Sequence, residues 1–328
     1  MKKILITGGS GFIGSHLTRL LFKKGYKVAI TTKYNSIYEN IRISDLWGKI
    51  EVIEMDLRNY NSIDKINKFR PDTIFHLAAY NDVGGSFDNF NEAITSNMVG
   101  TANLIEGIKN YKQFIYISTS EVYGEQKNKP FVETMIPQPV SPYSVGKYGG
   151  ELYANMFMNF YKKPIKIIRP FNAFGPWQSV KAVIPEIIMK CINNEDVEIT
   201  SGEQTREFNY VENLVKGFYI CAKNKKCFGE VVNIGNGADI KIKNLAKLIF
   251  SLIKPESNLY IGKLKSRITD IKKMQSNSLK FKKITGWRPN IEFKDGLSKT
   301  IDWYKKQNLV YNHKTSSFSK LFKFWVSF

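Results

Sequence analysis

The chain has 328 residues, 43% hydrophobic and 24% charged, and its 49 basic and 29 acidic residues leave a net charge of +20. This suits one large or two moderate soluble domains and excludes a chain of membrane spans, because no apolar run nears the ~20 residues needed to cross a bilayer. The charge would draw anions, yet only eight of the basic residues are arginines and the lysines are scattered, so no nucleic-acid partner is expected.

The chain opens on a short apolar run, Ile4–Ile6, that breaks into Gly8, Gly11 and Gly14. Apolar residues then recur at helical spacing, at Phe12, Ile13, Leu17, Leu20 and Leu21. This is strand, glycine turn, helix, the local form of a dinucleotide-phosphate site. Gly8 and Gly9 also cut the opening apolar stretch too early for a secretion signal. Apolar runs at Lys27–Thr31, Ile50–Glu54, Thr73–Leu77 and Phe114–Ile117 predict buried strands, with helical patterns such as Tyr60–Lys68 and Asn91–Tyr111 between them. The alternation predicts an α/β fold with a doubly wound parallel (Rossmann) sheet.

Further strands are expected at Ile165–Ile168 and Val231–Ile234, and helices at Ile184–Asn194, Leu245–Ile253 and Phe293–Lys306. From Phe171 onward Pro and Gly thicken, which predicts a smaller, more irregular α/β substrate domain. The expected division is 1–168 plus about 208–236 for the dinucleotide domain and 169–207 plus 237–310 for the substrate domain, with a tail at 311–328. Three cysteines, Cys191, Cys221 and Cys227, have neither metal nor redox spacing, so no metal and a reducing, cytoplasmic compartment are expected.

Two segments fall where such a sheet puts its ligands. Ser118-Thr119-Ser120-Glu121 follows the strand ending at Ile117, and Tyr143-Ser144-Val145-Gly146-Lys147 opens a helix running to about Tyr161. Tyr143 and Lys147 are four apart and share a helix face. A phenol with a pKa of about 10 is a poor base at neutral pH; a lysine ammonium and a nicotinamide cation nearby would favour the phenolate.

With these segments in this order, the sequence resembles the extended short-chain dehydrogenase/reductase family that acts on nucleotide sugars, over about residues 3–306. Also matching are Asp56-Leu57-Arg58, Leu77-Ala78-Ala79, Asn97 with Gly100-Thr101, Arg169-Pro170-Phe171-Asn172 with Gly175-Pro176, Arg206–Val211 and Asn233-Ile234-Gly235. The resemblance implies that Tyr143 removes a sugar hydroxyl proton, Thr119 assists, and Lys147 holds Tyr143 and the cofactor ribose. Gly8, Gly11, Phe12, Ile13, Gly14, Leu77, Ala78 and Ala79 would border the cofactor, and Asp56 and Leu57 would flank its adenine. Asn172, Val183, Arg206 and Arg267 would hold the nucleotide diphosphate. It implies a tightly bound, recycled nicotinamide cofactor, a UDP-, GDP-, CDP- or dTDP-hexose substrate, and a homodimer formed through two helices per subunit.

Glu121 discriminates among reactions that begin with oxidation at C4. A carboxylate beside Thr119 can take the C5 proton of a 4-ketosugar, as 4,6-dehydratases require, with Ser120 standing where dehydratases of thymidine-linked glucose carry an acid. The segments Arg169–Glu186 and Thr205–Val211 most resemble amino-sugar 4,6-dehydratases. That predicts a 4,6-dehydratase; a 4-epimerase, a uronate decarboxylase or a 4-oxidase on the same scaffold is the alternative, and a non-catalytic binding protein the remote one. The second strand ends in Thr31-Thr32-Lys33-Tyr34 without a carboxylate before Glu39, so Lys33 favours NADP over NAD. In the tail, Phe318, Leu321, Phe322, Phe324, Trp325 and Phe328 gather on one side of a helical wheel, with Lys320 and Lys323 opposite. Two expectations follow: a helix lying on the inner membrane surface, or packing against protein.

Overall fold

The computed structural model describes residues 2–36, 40–127, 130–265 and 271–312. Among these, seven strands form one parallel sheet. Six are labelled β1 (Lys3–Thr7), β2 (Lys27–Thr32), β3 (Glu51–Glu54), β4 (Thr73–His76), β5 (Gln113–Ile117) and β6 (Ile165–Pro170), and Val231–Ile234 completes the sheet at the β6 edge. Their order across the sheet is 3-2-1-4-5-6, so the winding reverses between β1 and β4 and opens a crevice at their carboxyl ends.

The pleat divides the apolar residues between two faces. Ile4, Ile6, Ile30, Phe75 and Ile115 pack beneath helix α1 (Phe12–Lys23) and the helix Val211–Lys223. Leu5, Ala29, Ile74, Phe114 and Tyr116 pack beneath the helices on the other side. A third apolar cluster, including Phe174, Ile187, Leu245 and Leu297, lies in a second lobe of short strands and helices. Its strand Thr205–Glu207 pairs antiparallel with Asp239–Lys241 and parallel with Lys273–Met274.

Two helices depart most from the predicted spans. The pattern from Asn91 to Tyr111 is a helix from Phe90 to Gly107 with a π turn at Thr95–Val99. It stops because Ile108 turns extended, with ψ of 114°, and buries its side chain in the core. The last helix runs Phe293–Asn312, past the expected Lys306. Residues 313–328, and with them the apolar face of the tail, lie outside the described residues, as do Glu39 and Arg267. No helix among the described residues is long and apolar enough to cross a membrane, and none of their His, Cys, Asp or Glu side chains cluster as a metal site would require.

Buried His76 ties the two strands that flank the crevice to the π turn. Thr7 Oγ1 lies 2.7 Å from its Nδ1, and Thr101 Oγ1 lies 2.9 Å from its Nε2. Because Thr101 donates to the Asn97 carbonyl at 2.6 Å, its oxygen accepts from the ring, which puts the imidazole proton on Nε2. Burial drives the ring's pKa well below its usual value, so it stays neutral and serves as a bridge.

Candidate active site

The glycine turn between β1 and α1 builds one wall of the crevice. Gly8 has φ of +67°, and a Cβ at Gly14 would stand 2.1 Å from the Gly8 carbonyl oxygen. Only glycine lets α1 start this close to β1. The Gly11 N-cap carries no capping side chain, and no acid lies in the first helical turn. Free N–H groups and a positive helix end therefore face the crevice, the donor set that a pyrophosphate needs.

Two hollows meet there. One, of about 390 Å³, runs past Gly8 and Gly11 to Thr31, Thr32 and Lys33, with Asp56 and Leu57 on its far side. The other, of about 230 Å³, continues past Phe12, Ile13 and Gly14 to Thr119, Tyr143 and Lys147. Leu77 borders the second, Ala78 the first, and Ala79 both. The residues expected around a dinucleotide thus border one continuous, elongated crevice, and the crevice fits such a cofactor.

The helix Pro142–Asn159 presents the chemistry. It starts where it does because Ser141 and Ser144 close a capping box and Pro142 occupies its first turn. Tyr143, Lys147 and Glu151 then follow on one face, a turn apart. Lys147 Nζ donates to the Ile117 carbonyl at 2.6 Å and sits 4.5 Å from the Tyr116 ring centroid. Burial pulls its ammonium down to about 7, against the opposing pull of Glu151. Tyr143 moves the other way: burial pushes its phenol up to about 12, with a hydrogen bond from Thr119 offsetting part of the rise. The protein by itself therefore holds a neutral phenol rather than the expected phenolate, and a cation bound in the crevice would have to supply the rest.

Behind this face lies an ion pair that the sequence did not reveal. Glu151 and Arg169 are both buried and joined through two guanidinium nitrogens, one of them Nε at 3.2 Å from each carboxylate oxygen. Ser118 Oγ donates to the same carboxylate at 2.6 Å, and the guanidinium lies 4.8 Å from the Tyr123 ring. The signal was one more helical turn in the Tyr143–Lys147 series, together with the Arg169-Pro170 pair at the end of β6.

The other expected residues divide. Thr119 caps the short turn Ser120–Tyr123, accepting from the Glu121 amide at 3.2 Å. Glu121 is half-buried and close enough to Tyr143 to oppose ionisation of the phenol. Ser120 lines the crevice, but its hydroxyl donates to Met274 Sδ at 3.2 Å, a thioether from the second lobe. Asn172 also borders the crevice. Arg206 Nη1 donates to the carbonyls of Thr205 and Ile271, at 2.9 and 2.5 Å. Val183 opens a second-lobe helix and packs on its core rather than bordering either hollow.

Residues 5–300 match the family model described as GDP-mannose 4,6 dehydratase. This chain belongs to the extended short-chain dehydrogenase/reductase family of nucleotide-sugar dehydratases and epimerases. Human dTDP-D-glucose 4,6-dehydratase is 31% identical, aligned over 93% of this chain and 90% of that one. A putative UDP-glucose 4-epimerase of Methanocaldococcus jannaschii is 32% identical over 93% and 99%. The solved UDP-glucuronic acid 4-epimerase of Bacillus cereus, in complex with UDP-glucuronic acid and NAD, superposes with a TM-score of 0.84 at 29% identity, covering 93% and 99%.

In this short-chain dehydrogenase/reductase the Glu151–Arg169 pair is expected to be costly to break from one side. Glu151→Gln leaves the Arg169 charge uncompensated and should lower unfolding stability by about 3–5 kcal/mol. Pairing it with Arg169→Met should restore more than half, read from denaturant midpoints. Equal midpoints for wild type and Glu151→Gln would remove the pair from the account.

Proposed function

We propose that the chain is a nucleotide-sugar 4,6-dehydratase, and Glu121 carries that reading: Thr119 accepts from its amide, and its charge reaches the Tyr143 phenol. A bound nicotinamide would supply the hydride acceptor and, later in the same turnover, its donor. Lys147, held against the Ile117 carbonyl, positions the cofactor ribose and adds positive charge next to the phenol. Tyr143 takes the proton of the C4 hydroxyl as C4 becomes a ketone, with Thr119 hydrogen-bonded to the same oxygen. The ketone acidifies the C5 hydrogen, and Glu121 removes it as a proton. That proton then passes from Glu121 to the C6 hydroxyl, the C6–O bond breaks, and water leaves. Saturating the C5–C6 double bond would take back the hydride at C6 and a proton at C5, the latter balanced by the proton Tyr143 took from the C4 hydroxyl; this restores the resting protonation and yields a 4-keto-6-deoxy sugar. Asn172 at the crevice edge is assigned to the nucleotide diphosphate, together with Arg206, whose guanidinium fork suits that anion once it turns from the Thr205 and Ile271 carbonyls.

A 4-epimerase has an observation of its own in its favour. The turn Ser120–Tyr123 holds one carboxyl, Glu121, with Ser120 bonded to Met274, so no second acid there protonates a leaving group. Rotation of a 4-ketosugar needs neither.

We also propose a homodimer through the π-turn helix and the helix carrying Tyr143. Val145, Leu152 and Met156 lie along one exposed face of the latter, and Met98 is exposed beside it. An apolar face of this kind on a soluble chain is suited to a second copy.

Wild-type protein given UDP-, GDP-, CDP- and dTDP-hexoses should convert one class with loss of one water by mass spectrometry. Glu121→Gln should leave C4 oxidation in place and abolish both water loss and solvent deuterium entry at C5. An unchanged mass, with a C4-inverted product by NMR and full activity in Glu121→Gln, would overturn dehydration in favour of epimerisation.

For the dimer, sedimentation equilibrium should give twice the chain mass for wild type and the single-chain mass for Leu152→Glu. A monomeric wild type would contradict it.

A further inference from the structure

The adenosine end of the crevice lacks the carboxylate that usually ends the second strand and receives the ribose hydroxyl. Thr31 accepts from the Gly8 amide at 3.4 Å, and the Thr32 hydroxyl donates to the Tyr34 carbonyl at 3.0 Å. A carboxylate is nonetheless present there, brought by a different element. Glu92, from the helix that begins at Phe90, borders the same hollow as Thr32, Lys33 and Asp56. Its Oε1 lies 3.1 Å from Lys33 Nζ and 3.9 Å from Arg58 Nη1, while Arg58 is clasped by Asp56 through Nε and Nη2.

The rim therefore pairs two cations with two carboxylates. Lys33, expected to receive a 2′-phosphate, already faces an internal anion.

We propose that Glu92 is the residue that selects NAD over NADP, reversing the preference that Lys33 alone suggests. A free 2′-hydroxyl can donate to its carboxylate, whereas a 2′-phosphate would bring up to two negative charges against it. The Lys33–Glu92 pair is itself weak, because the two side chains are 41% and 40% exposed. Discrimination comes from the presence of a like charge at this rim, not from the strength of the bridge.

This inference rests on reading the crevice as a nicotinamide-dinucleotide site, and the test separates the two. Isothermal titration of the full-length protein, exchanged free of cofactor, measures NAD and NADP dissociation constants. Wild type should bind NAD at least about tenfold more tightly, the ratio that about 1.4 kcal/mol of charge repulsion produces. Glu92→Gln should narrow or invert that ratio by about tenfold, mainly through tighter NADP binding, and added salt should weaken the gain. Lys33→Ala in the Glu92→Gln background should remove it. Tighter NADP than NAD binding by wild type, or an unchanged ratio in Glu92→Gln, would overturn the assignment while leaving the cofactor site intact. Failure of wild type to bind either dinucleotide would remove the cofactor reading and this inference with it.

Discussion

A lysine ammonium buried at the end of a central strand has to be given partners, and much of the site's arrangement follows from how Lys147 is satisfied. An unpartnered charge there would simply lose its proton. The Ile117 carbonyl, the Tyr116 ring and the field of Glu151 together hold it, and two of these belong to β5. The helix Pro142–Asn159 is thereby fixed in rotation against the sheet, with Tyr143 one turn nearer the crevice. Glu151 in turn is held by Ser118 and by Arg169 at the end of β6. Three parallel features (the end of β5, one helix face and the end of β6) converge because Lys147 and the Glu151–Arg169 pair are all buried and all need partners.

Burial keeps the catalytic end of the crevice close to electrically neutral. Burial raises the phenol of Tyr143 and lowers the ammonium of Lys147, so the two groups resist ionisation in the protein alone. A bound nicotinamide cation would favour the phenolate of Tyr143, and the helix end of α1 offers the donors that a pyrophosphate would need. At the far end, Lys33, Arg58, Asp56 and Glu92 bring the local charge close to zero, even though the chain as a whole is strongly basic. The net charge of +20 thus says little about this pocket. Charge at a binding site is decided by pairs.

What could be read from the sequence was the part written in local spacing. The glycine turn, the strand pattern and the four-residue interval from Tyr143 to Lys147 depend on neighbours in the chain, and the parallel sheet and the crevice at its carboxyl ends are where they were expected. Pairs made by folding left no such trace. Glu92 meets Lys33 across 59 positions, and Ser120 meets Met274 across 154. Lys33 alone resembled a phosphate ligand, and Ser120 alone stood in the catalytic place of an acid; each looks different once its partner is known. Glu151 was closer to view, a single turn beyond Lys147, but its meaning depended on Arg169 arriving from another strand. The end of the helix at Gly107 was hidden for a similar reason, since core burial of Ile108 overrode a pattern that ran on to Tyr111.

The account turns on Tyr143 as the group that takes the sugar hydroxyl proton. The most direct measurement is turnover by Tyr143→Phe, set beside its affinity for the cofactor and its folded state by circular dichroism. Loss of a general base predicts a fall in kcat of about 10²–10⁴-fold, with cofactor affinity and fold unchanged. Turnover within a few-fold of wild type in a folded Tyr143→Phe protein would contradict it.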